Sequence, residues 1–301
     1  MNTLVGKVQW THIQNPKDED LDWLKKRFHL HHLILDELKS PSIRAKVDFS
    51  KNYLYLIYYF PIYDPIERVS KRSEIDFIIT KNEVITVAYD KFEVLDELRK
   101  YLNVKTHIFD DTLKLTHRIL ETLLSFQRRQ LTHIGEKIDE VSLELFKQRE
   151  RQREQDLLQK ISYLKRDISQ YRIIIKPQRH ILESLFQGGC SFLGPQCQIY
   201  LNDLIGEHMK IVDQLEDYRQ ATEDFETTNN QLISLKNAQL VRTFTVLAFL
   251  TFPMMLFAAL FSMNTIDTPI VQAEHGFWII FGIMLFSMAG MFVYFRKRDW
   301  L

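Results

Sequence analysis

The order of hydrophobic and polar residues divides the chain into three parts. Over much of the first hundred positions apolar and polar residues alternate, which indicates β-strands. From about residue 111 the apolar residues recur at helical spacing. Two apolar runs without a charged side chain follow, at 243–264 and 277–295. The pattern predicts an α/β body, then long helices, then a hairpin of two membrane spans.

Within the body, short elements follow one another closely. Strands are predicted at 4–13, 53–62, 73–80 and 83–89. Helices are predicted at 21–28, 31–38 and 92–102. Because the last two strands are joined by the tight Lys81-Asn82 connection, we expect a mixed or mostly antiparallel sheet.

The middle of the chain favours long helices. The polar run 140–165 is either the solvated tip of a helical hairpin or a flexible turn. Helical spacing resumes at 161–186 with a kink at Pro177, and the glycines between 188 and 194 predict a loop. No Gly or Pro occurs between Glu207 and Phe252, so one helix of about 65 residues is expected to run from Gln196 into the bilayer.

These patterns set the predicted domain organisation. Residues 1–105 form an α/β cytoplasmic domain, and 106–240 form long cytoplasmic helices and a stalk. Residues 241–301 form the transmembrane hairpin, with spans at about 243–263 and 277–295. The fold class is therefore α+β with a membrane part, in which the stalk continues into the first span.

Charge around the spans predicts their orientation. Basic residues flank the hairpin on both sides: Lys236, Arg242, Arg296, Lys297 and Arg298. The connecting loop holds Asp267 and Glu274 and no Lys or Arg. The positive-inside rule then places both termini in the cytoplasm and the loop outside. The start of the chain has no continuous apolar core of a signal peptide, so we expect a multi-pass protein of the cell (inner) membrane.

Composition excludes other classes of function. Lys+Arg and Asp+Glu are equal at 39 each, which gives no reason to expect nucleic acid as a partner. Cys190 and Cys197 lie in the predicted cytosolic part, where free thiols are expected; a disulfide or half of a metal site is the alternative, but no His or Cys pair at zinc spacing completes such a site. We find no phosphate-binding glycine loop, catalytic nucleophile motif or zinc motif, so neither an enzyme nor a bound cofactor is predicted.

Two spans cannot enclose a conduit alone, so a pore requires several copies of the chain. The first span is the better candidate to line it, because it continues the stalk and ends at the polar Asn264. One helical face leads back from Asn264 through a largely apolar set: Met255, Phe252, Ala248, Thr245 and Val241. Such a wall could gate by dewetting, and ordinary helix packing is the alternative.

At Ser262-Met263-Asn264 the chain resembles the Gly-Met-Asn signature of the CorA magnesium transporters. The resemblance covers essentially the whole chain. It includes further segments at 28–33, 44–47, 171–179, 236–253 and 296–301. It implies a funnel-shaped homopentamer in the lipid bilayer that passes divalent cations inward, Mg²⁺ first, with Co²⁺ and Ni²⁺ as further candidates.

The resemblance also implies a selectivity filter at Ser262, Met263 and Asn264, with the family's methionine and asparagine at Met263 and Asn264. Mg²⁺ gives up water reluctantly, so a ring of neutral side-chain carbonyls can select the hydrated ion. Asp267 and Glu274 either raise the local cation concentration at the mouth or are solvated loop charges.

Ser262 departs from the family glycine, and this keeps two alternatives open. One is zinc transport of the ZntB type, a branch that also relaxes the signature. The other is a membrane-anchored scaffold or sensor that no longer conducts.

Two groups in the body invite a metal-site hypothesis. His29, His31 and His32 do not share one helical face, so an ordinary structural role is favoured. The family senses Mg²⁺ through acidic residues between neighbouring cytoplasmic domains, and candidates here occur at 90–97 and 213–224. No single residue among them can be assigned, since acidic residues on a long helix usually form its solvated face.

Overall fold

The computed structural model describes residues 2–4, 7–104, 109–145, 147, 151–263, 270 and 275–298. The chain forms two compact units, Met1–Glu226 and Thr227–Leu301.

A six-stranded mixed sheet organises the first unit. Its strands are β1 (Asn2–Leu4), β2 (Gln9–Gln14), β3 (Lys46–Phe49), β4 (Leu54–Asp64), β5 (Val69–Ile79) and β6 (Glu83–Ala88). They lie in the order β1-β2-β6-β5-β4-β3, in which β2 and β6 are parallel and every other neighbouring pair is antiparallel. The expected mixed, mostly antiparallel sheet is confirmed.

The described residues include eight helices. They are α1 (Asp18–Phe28), α2 (His32–Glu37), α3 (Glu93–Val104), α4 (Thr112–Leu145), α5 (Arg151–Ile175), α6 (Gln178–Leu193), α7 (Cys197–Phe261) and α8 (Gly276–Lys297). The predicted 65-residue helix is confirmed in α7, and it passes through Pro253 without a break. The polar stretch after residue 140 is mostly helical where it is described, and Lys160 of α5 bridges Glu140 and Glu144 of α4 at 2.8 and 2.7 Å.

The centre of the sheet is buried on both faces. β4 is buried from Leu54 to Pro61. Its sequence is accordingly a nearly continuous apolar run rather than an alternating one. Leu24 of α1 and Ile34 of α2 share one core cluster with Tyr55 and Ile57 of β4. Burial of this apolar surface is the main stabilising term of the first unit.

Two strand predictions need correction. The single strand expected at 4–13 is two antiparallel strands, β1 and β2. β3 was not predicted, because a run of four residues is too short to show a period; its Lys46 and Asp48 side chains ion-pair at 2.6 Å.

The predicted glycine loop is confirmed only at its end, where Gly194 (φ 97°) terminates α6, whereas Gly188 and Gly189 lie inside α6, which extends to Leu193. A Cβ on Gly188 would lie 2.4 Å from the Phe49 ring, so glycine here permits close approach of α6 to β3. The expectation of free thiols is wrong as well. Cys190 in the last turn of α6 and Cys197 at the start of α7 form a disulfide with their Cα atoms 5.1 Å apart.

Candidate functional site

Two helices of the described chain are long and apolar enough to cross a membrane, α7 and α8. Only 6 % of the apolar window of each helix is buried within the chain. A core helix of a soluble protein would be mostly buried, so these side chains require cover that the single chain does not provide. Lipid and further copies of the chain are the two kinds of cover available to a span.

The five candidate pore-lining residues lie on one face of α7. At 3.6 residues per turn, Val241, Thr245, Ala248, Phe252 and Met255 fall within about 80° of one another. Thr245 is half-buried and the other four are exposed, with Phe252 at 64 % and Met255 at 69 %.

The side chains that the chain does cover lie on the opposite side of the same helix. Val246 is buried, and five further residues on this side are half-buried: Leu250, Pro253, Met254, Phe257 and Phe261. They are centred roughly 180° from the candidate face at helical spacing. Phe249 contacts Phe295 of α8, with ring centroids 6.0 Å apart. Apart from the half-buried Thr245, the candidate face is thus exposed within the described part of the second unit.

The end of α7 carries the signature residues. The backbone N–H of Ser262 donates to the Ala258 carbonyl at 3.1 Å, and its hydroxyl donates to the Ala259 carbonyl at 3.0 Å. The non-glycine residues with positive φ in the described chain do not include Ser262, so this position does not use the left-handed conformation that glycine favours. Met263 is exposed. Asn264, Asp267 and Glu274 lie outside the described residues.

Hydroxyl groups within the first span bond to their own helix. Thr245 donates to the Val241 carbonyl at 2.8 Å, and Thr251 donates to the Leu247 carbonyl at 3.1 Å. Such bonds satisfy hydroxyl donors where no water is available and leave oxygen lone pairs for an acceptor role.

Some of the candidate regulatory acidic residues form ion pairs with arginines of the same chain. Asp96 pairs with Arg99 at 3.3 Å, and Glu216 pairs with Arg219 at 2.8 Å and Arg172 at 3.0 Å. The hydrogen bond and charge of Arg219 hold the pKa of Glu216 below its ordinary value. Among the described residues no three His, Cys, Asp or Glu side chains come together as a metal site.

The three histidines of the body have positions that explain them structurally. His29 occupies the left-handed C-cap of α1, and its N–H donates to the Lys25 carbonyl at 3.1 Å. His31 caps α2, where its ring nitrogen accepts from the Leu33 N–H at 3.3 Å. The His32 ring lies 4.3 Å from that of His31.

Comparison with known proteins identifies relatives along the whole chain. The family model of the CorA-like Mg²⁺ transporter proteins matches residues 5–297. The cobalt/magnesium transport protein CorA of Thermotoga maritima is 23 % identical over 91 % of this chain and 78 % of that protein. The protein of the same name from Methanocaldococcus jannaschii is 22 % identical over 98 % of this chain and 92 % of that protein.

Solved structures share the fold. The complete CorA magnesium transporter from M. jannaschii superposes with a TM-score of 0.86 at 18 % identity, covering 98 % of this chain and 92 % of that one. The ZntB cytoplasmic domain from Vibrio parahaemolyticus gives a TM-score of 0.59 at 15 % identity and covers 76 % of this chain and 89 % of that one. Because the family model spans the α/β body, the long helix and both apolar helices, the chain belongs to the CorA-like Mg²⁺ transporter family, whose members are transporters rather than enzymes.

Proposed function

We propose that the protein carries divalent metal cations, Mg²⁺ first, across a membrane. The observation that carries this proposal is the match of the family model to residues 5–297. Relatives named for magnesium or cobalt/magnesium transport align over more than nine-tenths of the chain. The two exposed apolar helices supply the spans that such a transporter needs.

The conduit in this proposal is formed by a homopentamer with α7 around its axis. Two helices cannot enclose a pore, and the exposed face of Val241, Ala248, Phe252 and Met255 is available to line one. A largely apolar wall favours gating by dewetting. Asn264 forms a ring of amide oxygens at the outer end, where a hydrated ion is selected.

Orientation follows from charge. Arg296 and Lys297 end α8, and Arg298 caps it. With these cations and Lys236 on the cytoplasmic side, both termini lie in the cytoplasm and Asp267 and Glu274 face outward at the mouth. A +2 ion that enters a cell with an inside-negative potential gains about 4.6 kcal/mol per 100 mV, at roughly 2.3 kcal/mol per charge. Transport therefore needs no nucleotide hydrolysis.

The decisive experiment is ion uptake into proteoliposomes that contain the full-length protein. We expect Mg²⁺ influx driven by an inside-negative potential, and Asn264→Ala should reduce it at least tenfold. Asn202→Ala is the matched control, because Asn202 is an exposed asparagine near the start of the same helix. Equal flux through the native protein and Asn264→Ala would remove the filter from the proposal.

Ser262 favours testing zinc as a second candidate. The family signature has glycine at this position, and the fold is shared with a ZntB cytoplasmic domain. Uptake of Mg²⁺, Co²⁺, Ni²⁺ and Zn²⁺ is measured in parallel, with and without a proton gradient. The relative rates distinguish a magnesium from a zinc transporter, and the effect of the gradient shows whether transport is coupled to protons. If the native protein is silent and Ser262→Gly restores flux, the chain is a non-conducting member of the fold.

A further inference from the structure

A cavity of about 730 Å³ in the first unit is lined by the segment before β3, the start of β5, and helices α5 and α6. This volume is within the range of small-molecule sites, which is about 300–1,000 Å³. The proposed transport pathway uses none of these elements, so a ligand in this cavity would be independent of the pore.

One wall of the cavity is cationic. Arg44, Arg72 and Arg166 line it, and none of the three forms an ion pair with a carboxylate among the described residues. Arg44 is exposed, and its side chain has no hydrogen bond within the described chain. The one carboxylate among the described lining residues, Glu67, is paired with Lys71 at 3.0 Å. The cavity therefore has a net positive charge.

Two of the guanidinium groups are held in place by contacts other than ion pairs, although the charge of Arg72 also acts on the buried Glu74 carboxyl. Arg72 donates to the Ile43 carbonyl at 3.2 Å and stacks 4.6 Å above the Tyr59 ring. Arg166 donates to the Glu67 carbonyl. Each guanidinium has five N–H donors, so these backbone contacts leave donors in fixed directions for an anion.

The other wall is apolar. It is formed by Ile43, Ile173, Ile174, Pro177 and Ile181. Ile43 is 92 % exposed and Ile173 62 % exposed, so this wall presents uncovered apolar surface. Helix α6 begins at this wall without a side-chain cap, and its N-terminal end adds positive potential.

We propose that this cavity binds a nucleoside triphosphate. Arginine groups with unused forked donors match phosphate oxygens, and several such groups in one cavity match several phosphates. The exposed isoleucines and Pro177 then cover the planar base, which gains from apolar burial. A lone inorganic anion would leave the apolar wall wet, and an uncharged ligand would leave the guanidinium groups unused.

The test is equilibrium binding of radiolabelled ATP to the full-length protein in detergent. Free Mg²⁺ is held constant, because ATP chelates it. We expect saturable binding that weakens as salt rises. Arg44→Gln should weaken it about tenfold, and Arg44→Gln/Arg166→Gln about a hundredfold, since a lost charge-assisted bond costs roughly a factor of ten. Arg129→Gln is the matched control, because Arg129 is exposed on α4 and does not line the cavity.

Two further probes separate the parts of the ligand. Tripolyphosphate should bind less tightly than ATP, and adenosine should not bind measurably. Equal affinity for tripolyphosphate and ATP would overturn the nucleoside assignment. Absence of ATP binding, or equal affinity in the native protein and Arg44→Gln, would overturn the site. If Arg44→Gln instead lowers only the fraction of oligomer, this face is a contact between copies. Since the Arg44 side chain is exposed and has no hydrogen bond within the described chain, its substitution should not unfold the protein.

Discussion

Phenylalanine side chains have opposite environments in the two units. Phe77 of β5 is 0 % exposed at the centre of the sheet, whereas Phe252 of α7 is largely exposed. The first unit can be explained by the contacts of one chain, because its apolar residues pack against each other. The second unit cannot, since its apolar residues need lipid or other copies to cover them. Hydrophobicity alone therefore does not tell a core residue from a membrane residue.

Polar groups differ between the units in the same way. In the first unit they bond between distant elements: Ser70 donates to Asp167 at 2.7 Å, and the Trp10 indole donates to Thr86 at 3.0 Å. In the first span the hydroxyls of Thr245 and Thr251 bond one turn back along their own helix. Hydrogen bonds between elements specify one tertiary arrangement, whereas hydrogen bonds within a helix do not determine what the helix packs against.

The largest effect should come from exchanging the two phenylalanines for alanine. Phe77→Ala removes a fully buried ring, and the free energy of unfolding of the first unit should fall by about 3–5 kcal/mol. Phe252→Ala removes an exposed ring and should change the free energy of unfolding by less than about 1 kcal/mol. Urea unfolding of the full-length protein in detergent measures both. Equal losses would mean that the two units do not differ in how they are stabilised.

Aspartate placed at adjacent positions of α7 tests the assigned face. Ala248 lies on the candidate pore face, and Leu247 is turned about 100° away from it. An Asp at the centre of a lipid-facing span costs about 2.5–3.5 kcal/mol of insertion free energy. We expect Leu247→Asp to reduce the inserted fraction strongly and Ala248→Asp to retain most of it, as measured by membrane fractionation. The reverse order would assign Ala248 to lipid or to a helix contact.

The sequence predicted the parts of the structure that depend on local pattern. The 65-residue α7 was predictable because its interior has no Gly or Pro from Glu207 to Phe252. The Gly188-Gly189 pair was wrongly predicted to form a loop, because the residue that requires glycine at position 188 is Phe49, which is distant in the sequence. The cavity between Arg44 and Arg166 gave no signal, since residues from separate segments form it. Local pattern predicts elements, and the packing between elements decides the exceptions.

Acid should weaken the first unit through its buried histidines. Burial lowers the pKa of His208 to about 4, and its ring nitrogen bonds the Tyr58 hydroxyl at 3.1 Å. Burial likewise lowers the pKa of His12 to about 4. The unfolded chain takes up these protons near pH 6.5 and the folded chain does not. The stability is therefore complete above pH 6.5 and is lost as the pH falls towards 4.

For each histidine the loss at pH 4.5 is about 2–3 kcal/mol, at 1.36 kcal/mol per pKa unit. The buried Asp76 cannot cause it, since burial and Glu74 raise the pKa of that carboxyl well above its ordinary value. A carboxyl that stays protonated in the folded state favours folding at low pH. His208→Gln should flatten the dependence of the unfolding free energy on pH, whereas the exposed His133→Gln should not. An unchanged slope in His208→Gln would assign the acid sensitivity elsewhere.

The smallest effect should come from two glycines with open space around them. A Cβ on Gly206 of α7 or Gly282 of α8 meets nothing within 4 Å in the described part of the single chain. Gly206 is exposed outside the apolar span, so Gly206→Ala should raise the free energy of unfolding by about 0.5–1 kcal/mol through helix propensity. Gly188→Ala should give no such gain, because the Phe49 ring must first move. Around Gly282 the space belongs to lipid or another copy. If Gly282→Ala lowers the fraction of oligomer and Gly206→Ala leaves it unchanged, a neighbouring copy lies against α8.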